Sequence, residues 1–208
     1  VNEVGQYNIA YKVVLFPLQN ITFVLNKAIF PAYSRVQHNK GLIAKHYLEN
    51  LEVIAFVTAP IMAVIWCFSD LFVLILLGDN WGDVALIITW LAPVGFLQSM
   101  VSTSGSVLKS IGRTDVLRNL GLIGVPFLSL SFVVGLPWGL QGVAAAYCIA
   151  NIIWVYPVIN TVLKLLSSSF SAFFKKIFKT CIITLITVYV CDFIFRLFVG
   201  LVYIEDIT

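Results

Sequence analysis

Along this chain, long apolar stretches are separated by breaks whose charge alternates in sign, and that alternation leaves few structures open to it. Six mostly apolar stretches cover 9–29, 51–77, 84–108, 117–136, 143–165 and 182–204, each long enough to cross a bilayer. The first break holds Lys27, Arg35, Lys40 and Lys45, the third Lys109, Arg113 and Arg118, and the fifth Lys164, Lys175, Lys176 and Lys179. The second break carries Asp79 and Asp83 and the fourth has no charge, while Glu3 leads the chain and Glu205 and Asp206 follow the last stretch. Eleven of the 13 Lys+Arg therefore sit at alternate breaks. The positive-inside rule puts those breaks in the cytoplasm and both ends of the chain on the outer side. In lipid the backbone must satisfy its own hydrogen bonds, so each stretch reads as a helix. The expected fold class is all-α, a polytopic transmembrane helical bundle of about six spans.

Composition excludes other classes. With 60% hydrophobic and 11% charged residues, the chain has too little polar surface to cover a soluble globule. The net charge of +3 flanks apolar spans and does not point to nucleic acid. Cys67, Cys148, Cys181 and Cys191 fall in or beside apolar stretches without ligand spacing, so neither metal nor disulfide framework is expected. His38 and His46 read as solvated loop histidines. No nucleophile elbow, Walker loop or carboxylate pair is visible. The chain is expected to be no enzyme and to need no cofactor; without an ATP site, any transport runs on gradients.

The chain divides into a five-span bundle with basic loops (1–166), an amphipathic interfacial segment (167–179) and a sixth span with an outer tail (180–208). In the middle segment, Ser167–Ser169 suit a helix start. Phe170, Phe173, Phe174, Ile177 and Phe178 follow at helical spacing, with Lys175, Lys176 and Lys179 on the other side. That pattern fits a helix lying among anionic headgroups. The stretch 42–51 is a weaker case of the same kind. Pro17, Pro60, Pro93, Pro126 and Pro157 stand inside the first five spans, where a proline frees a carbonyl and permits a bend. Trp81 and Trp138 at the outer breaks suit the interfacial aromatic belt. Asp70 is expected to cap a short broken segment, 71–77. The chain opens on Val1 with no cytoplasmic start before the first span, so it reads as a fragment of a larger protein.

Polar residues inside spans are the candidates for function, because each carries a cost that something must offset. Asn8, Lys12, Gln19, Thr22 and Asn26 follow spacings that gather them on one face of the first span. The stripe faces either other helices or a watery cavity, and a cavity lining is the favoured reading. Lys12 either snorkels to the headgroups or faces an anion. In the third span Ser99, Ser102 and Ser106 share a face and suit close helix packing. Tyr147, Asn151 and Trp154 share a face of the fifth, fitting a sugar or a second helix. Asp192 and Arg196 stand at i, i+4 in the sixth and can pair on their own helix or face a cavity.

Particular runs carry a resemblance. Residues 7–37 (YNIAYKVVLFPLQNITFVLNKAIFPAYSRVQ), 76–81 (LLGDNW), 104–115 (SGSVLKSIGRTD) and 139–147 (GLQGVAAAY) stand in an order and spacing that resembles bacterial polysaccharide exporters of the colanic-acid and O-antigen flippase type. These belong to the multidrug, oligosaccharidyl-lipid and polysaccharide exporter superfamily. The resemblance runs over essentially the whole chain and corresponds to the later part of such a protein.

The resemblance implies two helical lobes around a central cavity, worked by alternating access, with the first lobe outside this chain. The implied cargo is an oligosaccharide on undecaprenyl pyrophosphate, moved across the bacterial inner membrane for lipopolysaccharide or exopolysaccharide biosynthesis. Implied partners are that lipid-linked oligosaccharide, membrane lipid and a glycan polymerase or other assembly protein, with no nucleic acid. Lys12 and Arg196, the basic residues within spans, become candidates for the pyrophosphate, and Gln19, Asn26 and Asn151 for the sugar. Two alternatives remain. A drug or cation antiporter of the same superfamily would ask for a deep acidic residue, whereas Asp192 has an arginine one turn away. A non-transporting scaffold for glycan-assembly enzymes is the other.

Overall fold

A computed structural model of the chain describes residues 3–36 and 39–205, leaving aside the side chains of 196–205 and of part of the first helix. Among the described residues the regular structure is helical: α1 (Glu3–Arg35), α2 (Lys40–Cys67), α3 (Ser69–Leu77), α4 (Gly82–Ser110), α5 (Thr114–Gly135), α6 (Gly139–Leu165) and α7 (Phe170–Glu205). Single 3-10 turns at Asp79–Trp81 and Leu136–Trp138 mark the two acidic or neutral breaks. Lys40–Cys67, Asp79–Ser110, Thr114–Leu165 and Phe170–Phe195 are long and apolar enough to cross a membrane. The third of these holds two helices, α5 and α6, folded back on each other. At 33 residues, α1 also exceeds the roughly 20 that span a bilayer. The chain is an all-α, multi-pass membrane protein.

Local chemistry sets the turns. Asn39 caps α2, its Oδ1 accepting from Leu42 N–H at 3.0 Å. At the end of α4, Gly112 N–H donates to Lys109 O and Arg113 N–H to Leu108 O, at 3.2 and 2.8 Å. The end of α6 repeats this pair of bonds with Ser167 and Ser168, and Ser167 takes the left-handed conformation (φ 56°) usually left to glycine. The three serines therefore divide their work: Ser167 ends α6, and Ser169 Oγ accepts from Ser171 N–H at 3.2 Å where α7 begins. From there α7 runs unbroken through both the amphipathic stretch and the sixth span. The expected break after α2 is present at Phe68, but Asp70 is not the cap. It lies in the first turn of α3, where a carboxylate still complements the helix dipole.

The centre of the bundle is α4, which packs against α1, α2 and α6; α5 covers α6, and α7 lies along α2. Small side chains allow that crowding: Ala85, Ala92, Gly95, Ser99, Thr103 and Ser104 of α4 are all buried. Hydroxyls tie the seams. Thr58 Oγ1 and Ser99 Oγ are 3.1 Å apart, Tyr47 OH and Ser104 Oγ 2.8 Å, and Ser69 Oγ and Thr89 Oγ1 3.1 Å. The packing role expected for the serine face of the third span is thus visible in Ser99, which joins α4 to α2.

The core has two layers. One, with Ala10, Val14, Ile65, Ile88 and Tyr147, lies toward the end bearing Asp79 and Asp83. The other, with Tyr33, Tyr47, Leu108, Leu163 and Phe173, lies at the end bearing the basic breaks. Outward faces are apolar, with Ile123, Val125 and Val133 of α5 and Leu185 and Tyr189 of α7 exposed, as helices bordering lipid require.

Candidate functional site

The inward face of α1 is set by Ala10, Val14, Thr22 and Tyr33, all buried. Because α1 packs mainly on α4, its other side is left open, and there Asn8, Lys12 and Gln19 are exposed. Three members of the expected stripe therefore share a face that no other helix covers among the described residues. Thr22 does not join them: it turns inward, its Oγ1 3.5 Å from Gln19 O. The Asn26 side chain lies outside the described residues.

Beside this face, α1, α2 and α3 enclose a groove of about 750 Å³. Val13 and Phe16 line it from α1, Pro60, Ile61, Val64 and Ile65 from α2, and Phe72 and Leu76 from α3, with Lys12 as the one charged residue among the described lining. Sequence reasoning did not find it, since a groove depends on how far two helices diverge. At 100° per residue, Phe16 and Val13 fall to one side of Lys12 around α1, and Asn8 and Gln19 to the other. Lys12 stands on the line between an apolar trough and a polar face.

Asn151 is placed differently. It is buried between α4 and α6, donating Nδ2–H to Tyr147 O at 2.8 Å, with Gln98 Nε2 3.5 Å from its Oδ1. Gln98 also donates to Tyr147 OH at 2.8 Å. Around this amide pair lies an aromatic group. Tyr147 stacks on Phe132 at 4.9 Å between centroids and meets Tyr11 edge-on at 6.3 Å, and Tyr7 contacts both Tyr11 and Phe132. Tyr7 OH is buried with no hydrogen-bond partner among the described residues. Tyr7 and Tyr11 were not singled out from the sequence, although their i, i+4 spacing was the available signal. Trp154 leaves the Asn151 cluster and covers Gly124 of α5.

At the basic end, Lys176 Nζ donates to Glu52 Oε2 at 2.8 Å, tying α7 to α2. Phe173 and Ile177 are buried against the bundle, while Phe174, Lys175, Phe178 and Lys179 are exposed. His46 Nδ1 lies 3.2 Å from Glu49 Oε2. In the α4–α5 turn Arg113 donates two hydrogen bonds to Asp115, at 3.0 and 3.1 Å. Those bonds hold the Asp115 carboxyl below its usual range. The Arg196 side chain, and with it the expected pairing to Asp192, lies outside the described residues. Among the described residues no three His, Cys, Asp or Glu gather as metal ligands.

Comparisons with known proteins agree with the architecture. The profile of a family described as "Polysaccharide biosynthesis protein" matches residues 1–86. The teichuronic acid biosynthesis protein TuaB of Bacillus subtilis (strain 168) is 28% identical over 86% of this chain and 38% of its own length. The lipopolysaccharide biosynthesis protein WzxC of Escherichia coli (strain K12) is 25% identical over 72% of this chain and 30% of its own. An uncharacterised membrane protein in the cps region of Klebsiella pneumoniae is 23% identical over 93% of this chain and 38% of its own. The chain thus spans less than two fifths of the length of these relatives. No solved structure matches it.

Proposed function

We propose that this chain, similar over residues 1–86 to a family described as polysaccharide biosynthesis proteins and along most of its length to TuaB and WzxC, forms part of a flippase for lipid-linked oligosaccharide. The cargo is an oligosaccharide on undecaprenyl pyrophosphate, and the path runs from the cytoplasmic to the outer leaflet of the bacterial inner membrane. The basic end of the bundle faces the cytoplasm and both ends of this chain face outward.

One observation carries the reading: among the described residues, α1 keeps Asn8, Lys12 and Gln19 exposed on the side that no other helix covers. Polar groups at that depth are costly against lipid, so the face belongs to a polar cavity closed by a part of the protein beyond this chain. Lys12 meets the pyrophosphate as a cation, and Gln19 and Asn26 offer amide donors and acceptors to sugar hydroxyls. Arg196 is the second phosphate candidate. Asn151 reaches a sugar only if the 3.5 Å Gln98 contact gives way as α4 and α6 part. The role is binding and passage, with no bond made or broken, so no catalytic residue is assigned. A glycan polymerase or assembly protein is a natural neighbour for such a transporter.

The test is export. Gln19→Leu combined with Asn26→Leu in the intact protein abolishes surface glycan at normal protein level; unchanged export contradicts the cavity assignment. For Lys12, Lys12→Arg retains export and Lys12→Glu loses it, whereas equal surface glycan in both removes Lys12 from the phosphate.

A further inference from the structure

The geometry points to a second element of the same site, and this inference rests on the flippase reading above: the groove between α1, α2 and α3 holds the hydrocarbon chain of the carrier, with Lys12 at the joint between chain and phosphate. Its volume of about 750 Å³ lies within the range of about 300–1,000 Å³ in which small-molecule sites fall. The groove exists because α1 leans on α4 far more than on α2. Pro60 also removes one backbone donor from α2 on the groove wall, and at Phe68 the chain ends α2 and restarts as α3, whose Phe72 and Leu76 close the far side. The trough opens sideways: Phe16 is 71% exposed and Leu76 56%, so a chain enters from the bilayer without crossing the bundle.

Charge selects the occupant. Any acyl chain fits an apolar trough in lipid, but this one carries a cation, Lys12, at its rim. A phosphate on Lys12 forms a charge-assisted contact, and a lipid whose head is uncharged gains nothing there. The order around α1 then matches the order along the carrier. Val13 and Phe16 meet the hydrocarbon, Lys12 the phosphate, and Asn8 and Gln19 the side on which the sugars continue. A phospholipid with two chains and a headgroup turned back to the interface has no use for that sequence of surfaces.

The experiment uses the intact protein in nanodiscs of phosphatidylethanolamine and phosphatidylglycerol, with a polyprenyl phosphate bearing a benzophenone on its chain as the photoprobe. Label is expected in peptides containing Val64 and Phe72, displaced by unlabelled polyprenyl phosphate but not by uncharged polyprenol. Val64→Trp and Ile61→Trp fill the trough and reduce labelling about tenfold, and Lys12→Gln raises the probe concentration for half-labelling about tenfold, the loss of one charged contact. Equal labelling of the same peptides by a benzophenone phosphatidylglycerol overturns the proposal in favour of bulk lipid. So does labelling that neither tryptophan changes. Loss of labelling specificity with the Gln19 and Asn26 effect on export intact removes the groove alone; specific labelling with export indifferent to those two amides removes the cavity reading and leaves the groove.

Discussion

The indole of Trp154 on α6 rests directly on Gly124 of α5, so that a β-carbon at Gly124 would lie 2.6 Å from Trp154 Cζ2. The same two helices touch more tightly at their turn, where a β-carbon at Gly135 would lie 2.5 Å from Val143 Cα and 2.6 Å from Gly142 O. Gly121, one turn before Gly124, has open space around it. Since alanine gains about 1 kcal/mol over glycine within a helix and overpacking costs about 1–3 kcal/mol, three alanine variants separate. Gly121→Ala raises stability, Gly124→Ala leaves it nearly level because an indole can shift, and Gly135→Ala lowers it because backbone cannot. Thermal unfolding in detergent gives the order, and a Gly135→Ala variant as stable as Gly121→Ala contradicts the α5–α6 contact.

Helices α2 and α7 run side by side in the same direction. Glu52 meets Lys176 near the basic end, and Phe68 meets Phe195 edge-on, with centroids 5.9 Å apart, toward the other. The ion pair is about one-third exposed, so it contributes at most about 1 kcal/mol; apolar contact of Phe173 and Ile177 does more to hold α7 in place. With Cys67, Cys148, Cys181 and Cys191 replaced, a Glu52→Cys and Lys176→Cys pair cross-links on mild oxidation. A Glu52→Cys and Tyr189→Cys pair does not, since Tyr189 is exposed further along α7. Equal cross-linking of both pairs contradicts the register.

Orientation is tested in the same cysteine-free background. An impermeant maleimide on intact spheroplasts labels cysteines at Asp79 and Gln141 and spares those at Lys40, Lys109 and Lys175. Permeabilisation brings the second group up to the first. The reverse pattern inverts the bundle.

The sequence held the six long helices because charge and hydropathy are properties of consecutive residues: Lys27 to Lys45 mark one end of α1 and α2 whatever those helices touch. The break at Phe68 was legible from the polar Ser69 and Asp70, but Asp70 as a cap was not correct, since capping depends on backbone angles that composition does not fix. The central place of α4 was only hinted at by its serines. Partner choice stayed hidden. Asn151 and Gln98 meet across two helices 53 positions apart, and no local pattern couples them. The common face of Asn8, Lys12 and Gln19 was legible from their spacing, whereas Thr22, at the edge of the polar arc where a small rotation turns a residue inward, is buried. The groove beside Lys12 arises from a divergence of α1 and α2 that neither helix encodes alone.

A polar cavity requires that water reach the open face of α1 at membrane depth. Gln19→Cys and Leu122→Cys, both exposed positions, placed in the cysteine-free intact protein and treated with a charged maleimide, test this directly. The cysteine at 19 is expected to react at a rate near that of a loop cysteine, while the one at 122, on an apolar face of α5, stays unmodified. A cysteine at 19 as inert as the one at 122 means that lipid covers that face, and the polar cavity is then contradicted.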